Sequence, residues 1–271
     1  MTGADELRRA TAFLAETDRA VAGEVAPVAV LDDDGARLPA EAWLVIDRAR
    51  PALWDANYVW VAAAGGADAQ ALAQAADRAQ LRAGHLHRRV VVADEAEGAG
   101  LVAGFAELGW QSAPLLVMAH RDPGALVDTA AAREVPAPDT VAVRDAVLAE
   151  EPWRSDEMAG WILARDALID RERAGRWFGA PSSGALRSCC VLLSRGNVAQ
   201  VETVGTAPGH RNRGLARAVV SLATAEGCHE ADLVFLCADP QDWPQHLYER
   251  LGYERLGLLH RFAPALGGLA P

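Results

Sequence analysis

The sequence contains no lysine: all 26 of its basic residues are arginine. With the abundance of alanine, this reads as the coding bias of a GC-rich genome and carries no functional weight. Basic residues are also in the minority. The formal net charge is −11, which argues against nucleic acid as a partner, because phosphate neutralisation needs a basic face. The acidity suits solubility and is compatible with cationic substrates. No apolar run approaches the ~20 residues needed to span a bilayer, so no membrane association is expected. The first residues, MTGADELRRATAFLAETDRA, lack the basic start, apolar middle and small-residue cleavage site of a signal peptide, and a cytoplasmic location is expected. Cysteine is scarce, at four residues. Cys189, Cys190, Cys228 and Cys237 form no C-x-x-C pair and have no histidine at zinc-ligand spacing, so no metal site is expected. They read as small buried residues, with Cys189 and Cys190 on opposite faces of one strand.

About half of the 271 residues are apolar, enough for one large domain or two ordinary ones. Periodicity predicts a helix from Asp5 to Val21, then irregular chain through VAPVAVLDDDGARLPAEAW. A clearer alternation follows: strand NYVWVAAA, an alanine-rich helix, strand RRVVVAD, a helix ended by Gly109, and strand APLLVMAH. The Pro-, Ala- and Asp-rich stretch from Arg121 to Thr140 reads as a connection between domains. Beyond it, TVAVRDA is read as extended. SDEMAGWILARDALIDRERAG is read as a helix with Ser155 and Asp156 as cap candidates. RWFGA and ALRSCCVLLSRG are read as strands around a turn, then strand NVAQVETVGT, helix GLARAVVSLATAEGC and strand ADLVFLCA. A helix DWPQHLYERLG capped by Asp242 and a last strand YERLGLLHRF close the chain. The two halves share a strand–helix–strand–helix–strand order and a closing Leu-Gly-aromatic.

The segment VETVGTAPGHRNRGLARAVV, Val201–Val220, carries the most chemistry. A strand is broken by Pro208, gathers His210, Arg211 and Arg213, and enters a helix near Gly214. The first turn of a helix offers unpaired N–H groups and partial positive charge. Small residues at Gly214 and Ala216 let an anion reach that backbone, and arginine adds bidentate donors. The combination suits a phosphate group.

This segment resembles motif A of the GNAT superfamily, the acetyl-CoA-dependent N-acetyltransferases. Its Arg/Gln-x-x-Gly-x-Gly/Ala core is matched by Arg211, Gly214 and Ala216. Strand LVFLCA and LYERLGY, similar to the family's Leu-Tyr-x-x-Leu-Gly-Phe/Tyr, follow in order. The resemblance spans about Pro136 to Phe262. It implies an α/β (α+β) GNAT fold with a mixed, mostly antiparallel sheet flanked by helices, in two tandem GNAT-like domains. Residues 1–120 would be a degenerate copy without the cofactor motif, 121–135 a linker, and 136–271 the acetyltransferase domain.

The resemblance implies acetyl-CoA as cosubstrate. Backbone N–H groups of Arg211, Asn212, Arg213, Gly214, Leu215 and Ala216 would hold its pyrophosphate. Val204, Gly205 and Thr206 would meet the pantetheine arm, with two strands splayed to admit it. Tyr248 occupies the position of the family's general acid, against the plainer role of a packed tyrosine. The family's glutamate base falls on Gln200, which cannot act as one. Glu202, two residues on, is the candidate base or ammonium anchor, against a structural carboxylate. His210 is read as facing solvent or phosphate. Asp156 and Glu157 either cap their helix or read a cationic acceptor, and Trp153, Trp161 and Trp243 either line the acceptor cleft or are buried. The implied activity is acyl transfer to a primary amine of a small molecule or peptide by direct attack in a ternary complex, by a monomer or homodimer. A non-catalytic acetyl-CoA sensor is the alternative. A Rossmann unit is excluded by the Arg-x-x-Gly spacing and by the lack of a following strand ending in Asp or Glu.

Overall fold

The structure is a computed structural model describing residues 2–127 and 129–265. The chain groups into two compact units. Among the described residues, the larger takes 2–13 and 116–256, and the smaller takes 14–115 and 257–265. This grouping differs from a cut at positions 120 and 136. The start of the first helix, α1 (Gly3–Val21), packs in the larger unit: Phe13 meets Phe235 edge-on at 5.6 Å and Arg121 pairs with Glu6 at 2.5 Å.

In the smaller unit, β1 (Glu24–Pro27), β2 (Glu41–Ile46), β3 (Tyr58–Ala63) and β4 (Val90–Val92) lie in that order, followed by the end of β12 (Tyr253–Pro264). The β3–β4 pair is parallel; the others are antiparallel. A short β5 (Trp110–Ser112) adds to β12. Helices α2 (Ala69–Arg82) and α3 (Glu95–Glu107) bury Leu72, Ala76 and Phe105 against Val59, Val61 and Phe262, with the Phe105 and Phe262 rings stacked at 4.2 Å. The region expected to be irregular thus holds β1 and β2. Alternating burial of Ala42 and Leu44 under a mostly apolar run is the strand signal.

In the larger unit the sheet order is β6 (Leu115–His120), β11 (Leu233–Ala238), β10 (Val198–Thr206), β9 (Ala185–Arg195), β8 (Arg176–Ser182) and β7 (Arg133–Val135). The β10–β11 pair is parallel and its neighbours are antiparallel. Its helices are α4 (Ala137–Leu148), α5 (Asp156–Glu172), α6 (Leu215–Glu230) and α7 (Pro244–Arg250). Cys189 and Cys190 are both fully buried and point to opposite faces of β9. Cys190 Sγ reaches the Val219 carbonyl of α6 at 3.4 Å, while the Cys189 thiol senses Arg144 of α4. The two helices therefore cover opposite faces of the sheet. Cys228 is exposed and Cys237 half-buried, unlike the expected burial.

Three readings of local structure are corrected. TVAVRDA is helical, within α4. Pro136 sets an extended N-cap, Pro138 falls where a missing N–H is harmless, and Thr140, Val143 and Arg144 then form one buried face. The connection from Arg121 contains β7, an edge strand on β8. Asp242 does not cap α7; the cap position is Trp243, whose N–H donates to Asp242 at 2.7 Å.

Candidate functional site

β10 and β11 are paired from Val198↔Leu233 to Val201↔Leu236 only, yet β10 continues to Thr206 and β11 to Ala238. The two strands part after Val201, leaving the facing edge of β10 from Glu202 onward unpaired by β11. Where the strands part, β10 carries a bulge. The register with β9 shifts between Glu202↔Val191 and Gly205↔Cys189, and Thr203 takes φ 52°. Positive φ is strained for a β-branched residue, and the extra residue re-aims the backbone at Thr203 and Val204. Gly205 packs closely: a Cβ there would lie 3.2 Å from the Val147 side chain of α4, which would have to give by a few tenths of an ångström. The Ser188 hydroxyl donates to the Gly205 carbonyl at 2.8 Å and shares a hydrogen bond with the Thr206 hydroxyl at 3.0 Å.

Beyond Thr206, Gly209, Asn212 and Gly214 adopt left-handed backbone with φ of 77°, 61° and 77°. Gly214 is the N-cap of α6 and supplies no side-chain cap. Among the described residues, no N–H from Arg211 to Arg217 has a backbone or side-chain acceptor, and the first ladder bond runs from Ala218 N–H to Gly214. The direction in which a Cβ would project from Gly209 or Gly214 is open for 4 Å. These N–H groups, with the helix dipole behind them, form an open anion-binding surface. The equivalent helix start in the smaller unit is closed. Asp68 caps α2 by accepting from Ala71 N–H at 2.8 Å, and the Ala64 N–H donates to Glu97 at 2.7 Å.

Arg211 is half-exposed and its guanidinium is bound to Glu150 just past α4. Arg213 donates to the Gly209 carbonyl at 3.1 Å, bracing the turn. The imidazole of His210 is held below its usual range, by local desolvation first and then by Arg187 and Arg213.

Gln200 and Glu202 share a face of β10: Gln200 Nε2 donates to Glu202 Oε2 at 2.8 Å. The bulge lies after this pair, so alternation holds up to Glu202. The Glu202 carboxyl is pushed up to about 7. Burial is the main cause, opposed by a backbone hydrogen bond from Thr203, reinforced by Asp166, and opposed again by Arg165 and Gln200. Asp166 is paired with Arg144 at 3.0 Å, and that arginine stacks on Trp177 at 4.4 Å. Tyr248 is buried on α7 with its ring 6.1 Å from that of Tyr253. Its hydroxyl is pushed well above the usual range, by burial first and then by the charge of Glu202. The charge of Glu202, a half-buried carboxylate where the strands part, thus bears on the buried hydroxyl of Tyr248.

Other expected residues lie outside this cluster or play plainer parts. Ser155 caps α5 through Met158 N–H at 3.0 Å, while the exposed Asp156 pairs with Arg154 at 2.8 Å. Glu157 is exposed, Trp153 and Trp161 are half-buried, and Trp243 is 58 % exposed, so none of the three tryptophans is a core residue. Glu150 and Asp166 were not singled out in the sequence. Glu150 lies 61 residues from its partner, and Asp166 sits in the middle of α5, with no local motif marking either. Among the described residues, no group of His, Cys, Asp or Glu could hold a metal ion and no helix is long and apolar enough to cross a membrane.

The profile of the Acetyltransferase (GNAT) family matches residues 140–253. No curated protein matches the chain. A functionally unknown conserved protein from Staphylococcus epidermidis is similar in structure, with a TM-score of 0.64 and 15% identity, covering 82% of this chain and 90% of that one. A GCN5-related N-acetyltransferase from Kribbella flavida is similar with a TM-score of 0.59 and 17% identity, over 96% and 97% of the two chains. A tandem GNAT protein from the clavulanic acid biosynthesis pathway has a TM-score of 0.56 and 15% identity, over 89% and 82%. The mixed, mostly antiparallel sheet flanked by helices is the GNAT fold, seen also in that tandem protein, and the family's profile falls on residues 140–253 of the larger unit.

Proposed function

We propose that this domain transfers an acetyl group from acetyl-CoA to a primary amine, by direct attack within a ternary complex. The observation that carries the reading is the parting of β10 and β11 after Val201↔Leu236, next to an uncapped helix start and beside Glu202 and Tyr248. The fit to the cosubstrate follows from these features. A diphosphate has free N–H donors from Arg211 to Ala216 and room above Gly209 and Gly214. An amide-bearing arm has the unpaired edge of Val204, Gly205 and Thr206 to bond as a neighbouring strand would. Acetyl-CoA, when bound, supplies the activated acyl carbon and a thiolate leaving group.

The chain's own groups then have defined tasks. Glu202, titrating near 7, is ionised in a useful fraction at neutral pH and takes the proton of the acceptor's ammonium group. Gln200 holds that carboxylate. The Val204 N–H, turned out of register by the bulge, is a donor for developing negative charge on a carbonyl oxygen. Tyr248 Oη, kept protonated by burial and by Glu202, gives its proton to the departing sulfur. Asp68 and the enclosed turn of the smaller unit suit a domain without cosubstrate, and the acceptor is cytoplasmic on this reading.

The test is release of free thiol from acetyl-CoA against a panel of primary amines, with Tyr248→Phe alongside. The reading requires turnover with at least one amine, a loss in kcat of roughly 10² or more in Tyr248→Phe, and unchanged acetyl-CoA binding by calorimetry. Binding without turnover on any amine would leave a sensor, and no binding at all would end both.

A further inference from the structure

The smaller unit contains a cavity of about 390 Å3 between the second half of α2 and strands β1 and β2. Its origin is legible in the residues. Ala75, Ala79 and Ala83 line the helical wall; at a spacing of four they stack on one face of the helix and leave space that larger side chains would fill. Val28, Leu44 and Ile46 line it from the sheet side, all of them buried core residues. These residues give the cavity an apolar wall.

Its charged residues are mainly arginine. Arg48, Arg78 and Arg82 line it with a single carboxylate, Glu24, and Arg48 already holds Glu24 at 2.6 Å. That leaves two guanidinium groups. The chain has 37 acidic residues for 26 arginines, and elsewhere in this unit arginines find them: Arg50 with Asp47, Arg88 with Asp77 and Arg89 with Asp55. Arg78 and Arg82 have no carboxylate partner among the described residues. Arg78 reaches only the Gln74 amide oxygen, at 3.4 Å, and its Nη2 is enclosed with no acceptor. A desolvated cation without an acceptor costs free energy. The helix dipole accounts for Arg82, in the last turn of α2, and leaves Arg78 unexplained. The two stand four residues apart on the same face of α2, the spacing at which side chains meet, and guanidinium forks match carboxylate and phosphate geometry.

We propose that this cavity binds an organic anion with an apolar tail, its carboxylate or phosphate head held by Arg78 and Arg82 and its tail laid along Val28, Leu44 and Ile46. The site lies wholly within the smaller unit, uses none of the residues of the acetyl-transfer site, and stands whether or not that activity is found.

The test is calorimetry on the full chain with octanoate, octyl phosphate and octanol. One octanoate or octyl phosphate should bind per chain, about tenfold or more tighter than octanol; the preference between the two anions identifies the head group. The double variant Arg78→Gln/Arg82→Gln should lose about tenfold or more of the anion affinity. Ala79→Trp, which fills the cavity from the helix, should abolish binding of both anions. A bound anion should raise the melting temperature of the parent and not of the variants, an arm that still reads out if one variant is marginally folded. Octanol binding as tightly as octanoate, undiminished anion affinity in the double variant, or no uptake of either anion would each overturn the proposal.

Discussion

Gln200 Nε2 donates to Glu202 Oε2 at 2.8 Å, which joins an uncharged amide to the carboxylate proposed as the base, two residues beyond it. The hydrogen bond favours the ionised form, while burial and Asp166 favour the acid. Removing the donor in Gln200→Leu therefore raises the carboxyl above its value near 7. A base must be deprotonated to work, so kcat/KM should rise with pH through about 7 in the parent. The same limb should sit at higher pH in Gln200→Leu and vanish in Glu202→Gln, with a loss of roughly 10² or more at neutral pH. A pH–rate profile for the three proteins measures this. An unmoved limb in Gln200→Leu would show that another group titrates.

Arg211 is bound to Glu150 in a pair that leaves both side chains nearly half exposed. Exposed pairs contribute ~0–1 kcal/mol. The same guanidinium is proposed to meet the diphosphate, so Glu150 competes with the ligand. Glu150→Gln should tighten coenzyme A binding by no more than about fivefold, and Arg211→Gln should weaken it. Titration calorimetry at low salt reads both. Weaker binding in Glu150→Gln would mean that the carboxylate orders the loop for the ligand instead of competing with it.

The course from β10 through the turn into α6 was legible in the sequence because each step has a local cause: apolar alternation, Pro208, then Gly214 before a helical face. The parting of β10 and β11 was anticipated only through the family resemblance, since nothing in either strand marks where pairing stops. α4 was misread because Thr140, Val141 and Val143 look like strand residues, and a buried face that includes Arg144 hides its helical period. The partners that tune the candidate site, Glu150 and Asp166, come from distant segments. The division of the chain was not legible either, because the start of α1 joins a unit whose other residues begin more than a hundred positions later.

Thr203 holds φ 52° at the bulge of β10. A β-branched residue there carries strain of order 1 kcal/mol or more, while asparagine and glycine tolerate the conformation. Thr203→Asn should leave the fold intact and raise stability by about 1 kcal/mol, against the usual destabilisation of a strand by asparagine. Urea unfolding checks the sign. A clear loss of stability would show that the threonine side chain contributes more than its backbone costs.

His87 tests the smaller unit by pH. Its ring stacks on Trp54 at 5.0 Å, its Nε2–H donates to the Asn57 carbonyl at 2.7 Å, and burial pushes it down to about 4. The unfolded imidazole takes up its proton near 6.5. Between those values the unfolded chain binds more protons than the folded one, so this contribution to stability is complete above about 6.5 and is lost as pH falls towards 4. The loss is on the order of 3 kcal/mol. Glu202 acts in the opposite sense. Its folded value, near 7, lies above the ordinary 4.5, so its burial penalty is relieved over much of the same range as pH falls. The net curve of the parent therefore understates the histidine, and His87→Phe isolates it. The phenyl ring can keep the stack and takes up no proton, so the stability of the parent relative to this variant should fall between pH 7 and pH 4 by about the amount given. NMR titration of the parent should place the His87 ring near 4, and a ring titrating at its ordinary value would remove the basis for the pH effect.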